Sequence, residues 1–257
     1  MKSNTKMTKT VAMHYMKLVF RSLLFLLSAG IYVYNKVHKT GEVFGGFEEK
    51  SFIIGFIWVF FALEMFLRFF PAKIESMGSG KQFKKNYIKK PCEKGDMKIH
   101  PWIVTFAIIC AWVALNAIFG ILYYAHVIDE GVLLLLSLFY SVCDVICILF
   151  FCPFQTWFMK NKCCATCRIY NWDYAMMLTP LVFVKNVYTW SLLAMALCLL
   201  IKWEFLVKKH PERFSEKSNA ALSCANCTEK LCHHKTQLQH FLKSGRFNLK
   251  GNTFLKK

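Results

Sequence analysis

The sequence predicts an all-α, multi-pass helical membrane protein of about six spans, the fifth short or re-entrant, with both termini cytoplasmic. Three observations carry this. Of the 257 residues, 56% are hydrophobic and only 19% charged; a soluble domain has roughly 45–50% and about 25%. The excess is gathered into runs of about 20 residues, the length that crosses a hydrocarbon core of roughly 30 Å. Lys and Arg, which give the chain a formal charge of +18, lie between those runs and alternate in density. Intrinsic disorder and a small disulfide-stapled fold are excluded. The charge reads as membrane topology and attraction to anionic lipid headgroups, not as nucleic-acid binding.

The first span is Leu18–Tyr34, preceded by four Lys and no acid over residues 1–17. It has no small-residue cleavage site, so it reads as an uncleaved span rather than a signal peptide. Arg21 is expected to snorkel to the inner headgroups. The second span, Phe52–Phe70, ends at Pro71. The third is Trp102–Tyr124, after Pro101. The fourth runs from Val132 to about Cys152, before Pro153.

Connecting segments set the sides. Residues 35–51 balance three Lys with three Glu, 71–101 carry eight Lys against three acids, and 125–131 have only Asp129 and Glu130. Residues 153–173 return to Lys160, Lys162 and Arg168 against Asp173. The order is in, out, in, out, in. Residues 174–207 are too long for one pass, at about 51 Å as a single helix. A turn at Lys185-Asn186 divides the region into a short pass, 170–184, and a full one, 188–207. The basic tail, 208–257, holds nine Lys and two Arg against three Glu, and so returns to the cytoplasm. The chain thus divides into a cytoplasmic N-terminus (1–17), a membrane domain (18–207) and a Cys/His-containing tail (208–257). The expected location is a cell membrane of the bacterial inner or plasma type.

Twelve cysteines are present. Cys110, Cys143, Cys147, Cys152 and Cys198 lie in or at the end of apolar runs and read as small core residues. Cys143 and Cys147 stand one helical turn apart. Two C-x2-C knuckles, Cys164 with Cys167 and Cys224 with Cys227, fall on one predicted membrane face. Such a pair makes a four-sulfur tetrahedral site, with Cys163, Cys232, His233 and His234 as alternates. Structural zinc, tying the loop after the fourth span to the tail, is the favoured occupant. An iron–sulfur cluster is the alternative, although the spacing departs from the bacterial ferredoxin run. Free redox thiols are the third reading.

Charge inside a span marks a functional position by default. Glu64 and Arg68 are spaced i, i+4 and are expected to pair with each other. Asp144 lies near mid-depth without a cation close in sequence, and Asn116 is its expected hydrogen-bond partner across two helices. Asp173 is expected to cap the helix it begins. Tyr170, Trp172 and Tyr174 read as an interfacial belt.

P-loop, dinucleotide, zincin and nucleophile-elbow signatures are all missing. That favours a non-enzymatic membrane protein; an enzyme here would be a membrane oxidoreductase. The thiol alternative resembles, in outline, the quinone-linked thiol oxidoreductases, though those place their reactive cysteines on the outer face. A transporter with Asp144 as its coupling residue is the remaining alternative. Protein partners are not legible.

Overall fold

The computed structural model describes residues 8–38, 52–71, 77–91, 102–159 and 166–223, together with Cys227 and Lys235. Among these the architecture is all-helical. Helix α1 is Lys9–His38, α2 Phe52–Arg68, α3 Met77–Gln82, α4 Trp102–Tyr124, α5 Glu130–Leu149, α6 Asp173–Leu178 and α7 Val187–Lys209. Four of them, α1, α4, α5 and α7, are long and apolar enough to cross a membrane. Helix α2 has 17 residues, about 26 Å at 1.5 Å per residue. Of the six expected spans, four correspond to these helices, α2 covers the second as a shorter helix, and the expected short pass 170–184 is only partly α-helical.

Helix α1 begins earlier than expected, and its buried face is Val11, His14, Arg21, Leu24 and Ser28, spaced by three, four or seven. That stripe lies along α5, the most enclosed of the four. Its small residues Ser137 and Ser141 are buried there, which lets two membrane helices approach closely. The opposite faces are apolar and open. Leu26 and Leu27 of α1, Ile103 and Ile121 of α4 and Phe205 of α7 are all more than half exposed. Apolar exposure on this scale fits contact with lipid rather than water.

Helix ends meet in a consistent order. Lys36, at the end of α1, pairs with Asp129, the N-cap of α5, at 2.9 Å. The other ends of these helices pack Val11 against Val145, Ile148 and Leu149. Trp58 of α2 donates to Ser191 of α7 at 2.7 Å, and Lys202 near the far end of α7 donates to the Phe69 carbonyl at 2.6 Å. Each pairing joins ends that the charge alternation puts on one face.

The segment between α5 and α7 is the unusual part. A 3-10 turn, Arg168–Trp172, leads into α6, and a second, Thr179–Phe183, follows it at Pro180. The more tightly wound 3-10 ends rise about 2.0 Å per residue, so the run reaches roughly 29 Å if straight, more than an α-helix of equal length. Its start clusters with Ile108, near the beginning of α4. Its tip sets Phe183 against Tyr124, at the end of α4, with ring centroids 6.2 Å apart. Gly120 makes room for that ring, since a Cβ there would overlap it. Lys185 is exposed at the tip, and Asn186 caps α7 by accepting from the Tyr188 N–H at 2.9 Å.

Helix α4 closes with His126 at φ 56°. The Val127 N–H donates to Leu122 O and the His126 N–H to Tyr123 O, both at 3.0 Å. This is a Schellman ending with histidine in the position glycine usually fills.

Beyond the end of α7, residues 215–220 dock onto the loop after α2. The Lys90 N–H donates to Ser218 O at 2.9 Å and the Ala220 N–H to Ile88 O at 2.8 Å. Asn219 is fully buried between these strands of backbone, and its amide donates to Lys81 O and Arg213 O. Trp203 lies beneath, edge-on to Phe83 and Phe214.

Candidate functional site: an ion cluster beside a thiol-lined cavity

The polar residues of the spans converge. Arg21 does not snorkel: its side chain is 3% exposed. Its guanidinium donates to Glu64 Oε2 at 2.7 Å, Asp144 Oδ2 at 3.1 Å and the Ser141 carbonyl at 2.9 Å. Lys17 reaches the other Glu64 oxygen at 2.9 Å, and the Tyr174 hydroxyl donates to Glu64 at 3.3 Å. Glu64 and Arg68 therefore do not satisfy each other. Glu64 faces α1, while Arg68 turns to Asp173 at 2.5 Å and lies over the Tyr174 ring at 4.8 Å.

Three cations (Lys17, Arg21, Arg68) thus meet three carboxylates (Glu64, Asp144, Asp173), and their formal charges cancel. Removal from water is costly for each ion alone, and pairing with further hydrogen bonds offsets it. The cluster fastens α1, α2, α5 and α6 together.

Two other expectations are corrected. Asn116 is buried but donates to Trp112 O of its own helix at 2.9 Å, so it is not the partner of Asp144. Trp172 and Tyr174 are buried rather than interfacial, because Arg68 and Glu64 draw that segment into the bundle. Asp173 does accept the Tyr174 N–H at 2.9 Å, but the Arg68 ion pair is its main engagement. His14 is buried, and neither ring nitrogen has a hydrogen-bond partner among the described residues.

Against the cluster lies a cavity of about 330 Å³ between α4, α5 and the short segment. Asp144 and Asp173 form its polar wall, and Trp112, Phe139, Phe154 and Met176 much of its apolar one. Cys143, Cys147, Cys152 and Cys167 also line it. Cys152 Sγ accepts the Gln155 N–H at 3.4 Å, where the chain turns into the π-type turn Phe154–Phe158. Sequence reading assigned Cys143, Cys147 and Cys152 to core packing and Cys167 to a metal knuckle. Their convergence depends on the chain folding back after Leu149, which periodicity does not reveal.

Of the predicted knuckle residues, Cys163, Cys164, Cys224, Cys232, His233 and His234 lie outside the described residues. Cys167 is buried among Ile108, Met159, Ile169 and Trp172. Cys227 Sγ lies 3.4 Å from Lys81 Nζ, on the loop after α2. Among the described residues no group of three or more His, Cys, Asp or Glu is arranged to hold a metal. No protein-family model matches the chain, and no curated protein or solved structure matches it either.

At the start of α5, burial pushes the Asp129 carboxyl up. Hydrogen bonds from Lys36, the Val132 N–H and Tyr32 outweigh it and hold the group below the ordinary carboxylate range.

Proposed function

We propose that this is a six-pass membrane protein that carries out two-electron thiol chemistry in the cavity beneath Asp144. The single observation behind this reading is the convergence of Cys147 and Cys152 on one cavity wall, with Cys143 and Cys167 beside them. The cavity volume falls within the range of small-molecule sites, and its aromatic and thioether walls suit a flat apolar ligand. The partner class is a quinone-type carrier. Oxidation joins the two sulfurs as a disulfide; the two electrons and two protons released convert the quinone to a quinol. The charge-neutral ion cluster holds α5 and α6 in register around the cavity.

The test uses reduced, detergent-purified protein mixed with a short-chain ubiquinone analogue. Quinol formed per protein is followed by absorbance, and the disulfide by mass spectrometry. One quinol per chain and a Cys147–Cys152 bond are expected, both lost in Cys147→Ser and in Cys152→Ser. Undiminished quinol yield in either variant overturns the reading.

A cytoplasmic-face zinc knuckle is a second proposal, with an iron–sulfur cluster as its alternative. What favours it is the docking of the tail: Asn219 and Cys227 both reach the loop that carries Lys81. This brings the tail to the membrane domain, as a site shared by Cys164, Cys167, Cys224 and Cys227 requires.

A further inference from the structure

The two thiols of the cavity are not equivalent, and the geometry points to Lys235 as the residue that makes them so: the tail lends its ammonium to Cys152, which becomes the attacking thiol, with Cys147 as its resolving partner. This rests on the thiol reading of the cavity proposed above.

Lys235 is buried, an uncommon place for lysine. Its ammonium donates to the Cys147 carbonyl at 3.0 Å and to Gln155 Oε1 at 3.0 Å. Both acceptors bracket Cys152. Gln155 gives Cys152 Sγ its backbone N–H, so the residue that seats the ammonium also holds the sulfur. Cys152 therefore has a hydrogen-bond donor on its sulfur and a cation bound to the groups on either side of it, both of which favour the thiolate, the nucleophilic form. The remaining titratable groups on the wall, Asp144, Asp173, Cys143, Cys167, Tyr140 and Tyr170, include no cation. Arg21 and Arg68 are engaged with the two carboxylates. The positive charge at Cys152 is thus supplied by a residue 83 positions later in the chain, and the tail is part of the site.

Lys235 has a structural duty as well, since the Cys147 carbonyl belongs to the last turn of α5 and a cation there complements the helix end. The readout must separate the two roles. The full-length protein is alkylated with N-ethylmaleimide from pH 5 to pH 9, and labelling of each cysteine is followed by mass spectrometry. Wild-type Cys152 should react before Cys147 and Cys143 and retain its reactivity toward the acid end. In Lys235→Met the Cys152 profile should move to higher pH, slowing its labelling at pH 6.5 by about tenfold for each unit of displacement. Lys235→Arg should keep most of the wild-type profile. Cys198, which is exposed on the lipid side of α7, reports an intact bundle if its labelling is unchanged. Should Lys235→Met lose the fold, Gln155→Leu makes the same test. It removes the amide oxygen that seats the ammonium and leaves the N–H to Cys152, so a smaller move in the same direction is expected. Superimposable Cys152 profiles in wild type and variant overturn the assignment. Quinone reduction is not used as the readout, so this outcome is distinct from failure of the redox reading.

Discussion

Arg21 and Glu64 stand 43 positions apart in sequence and 2.7 Å apart in the membrane domain. Arg21 also holds Asp144, so one guanidinium serves two carboxylates on two different helices. Replacing Arg21 by Met should strand both, and breaking such a buried pair costs about 3–5 kcal/mol. Glu64→Leu alone should also destabilise, by leaving Lys17 and Arg21 in excess. The double variant should cost less than the sum of the two. Thermal unfolding in detergent across the double-mutant cycle measures the difference, and strict additivity would show that the pair is not coupled.

Asp144 tests packing against transport. Asn keeps an acceptor for Arg21, whereas Leu removes it. A packing role predicts that Asp144→Leu is the more destabilising, with Asp144→Asn close to wild type in detergent stability. If a cation-coupled activity is found and Asn abolishes it as fully as Leu, the transporter alternative gains and the packing account loses.

Gly120 should resist enlargement. The Phe183 ring fills the space a side chain would need, so Gly120→Val should destabilise by about 1–3 kcal/mol, the usual cost of overpacking. Phe183→Ala in the same chain should restore much of the loss. If the valine variant unfolds like wild type, the tip of the short segment does not sit against α4.

Acid should loosen the Lys36–Asp129 contact. The Asp129 carboxyl is held below its ordinary range in the folded chain, so its contribution is present above the ordinary aspartate value near 3.9 and fades as pH falls through the folded value. Lys36→Met should make stability less dependent on pH between about 5 and 2. Unfolding midpoints for both proteins across that interval provide the comparison; parallel curves would dissociate the pair from acid sensitivity.

Metal content decides the knuckle. With a shared ion, Cys→Ser at 164, 167, 224 or 227 should each lose the whole metal and make the tail protease-sensitive. Cys163 and Cys232 need the same treatment as alternates. Bound metal measured per protein, with an absorption spectrum, separates zinc from an iron–sulfur cluster. Retention at 224–232 after changes in 163–167 would break the shared site.

Span positions were legible because a lipid environment demands long apolar runs; α4 was read to its ends. The ion partners were not. Helical periodicity names only neighbours on one helix, so Glu64 and Arg68 appeared to belong to each other. Packing instead turned Glu64 toward α1 and Arg68 toward α6. The same limit hid Cys152, whose contact with Gln155 comes from the chain's reversal after α5, and Lys235, which reaches Cys147 and Gln155 from far along the chain. Arg21 looked like an anchor because its depth could be counted, while the acids facing it could not.

The Arg68–Asp173 pair has a consequence for biosynthesis. Its members are 105 positions apart, and α4 and α5 are made between them. At about 5–20 residues per second, Arg68 waits roughly 5–20 s for its carboxylate. Over that interval the nascent bundle carries an unneutralised guanidinium near one end of α2, where an anionic headgroup can serve as counterion. Arrival of Asp173 releases that lipid and draws in the short segment, so the last stage of assembly should slow in membranes depleted of, or very rich in, acidic lipid.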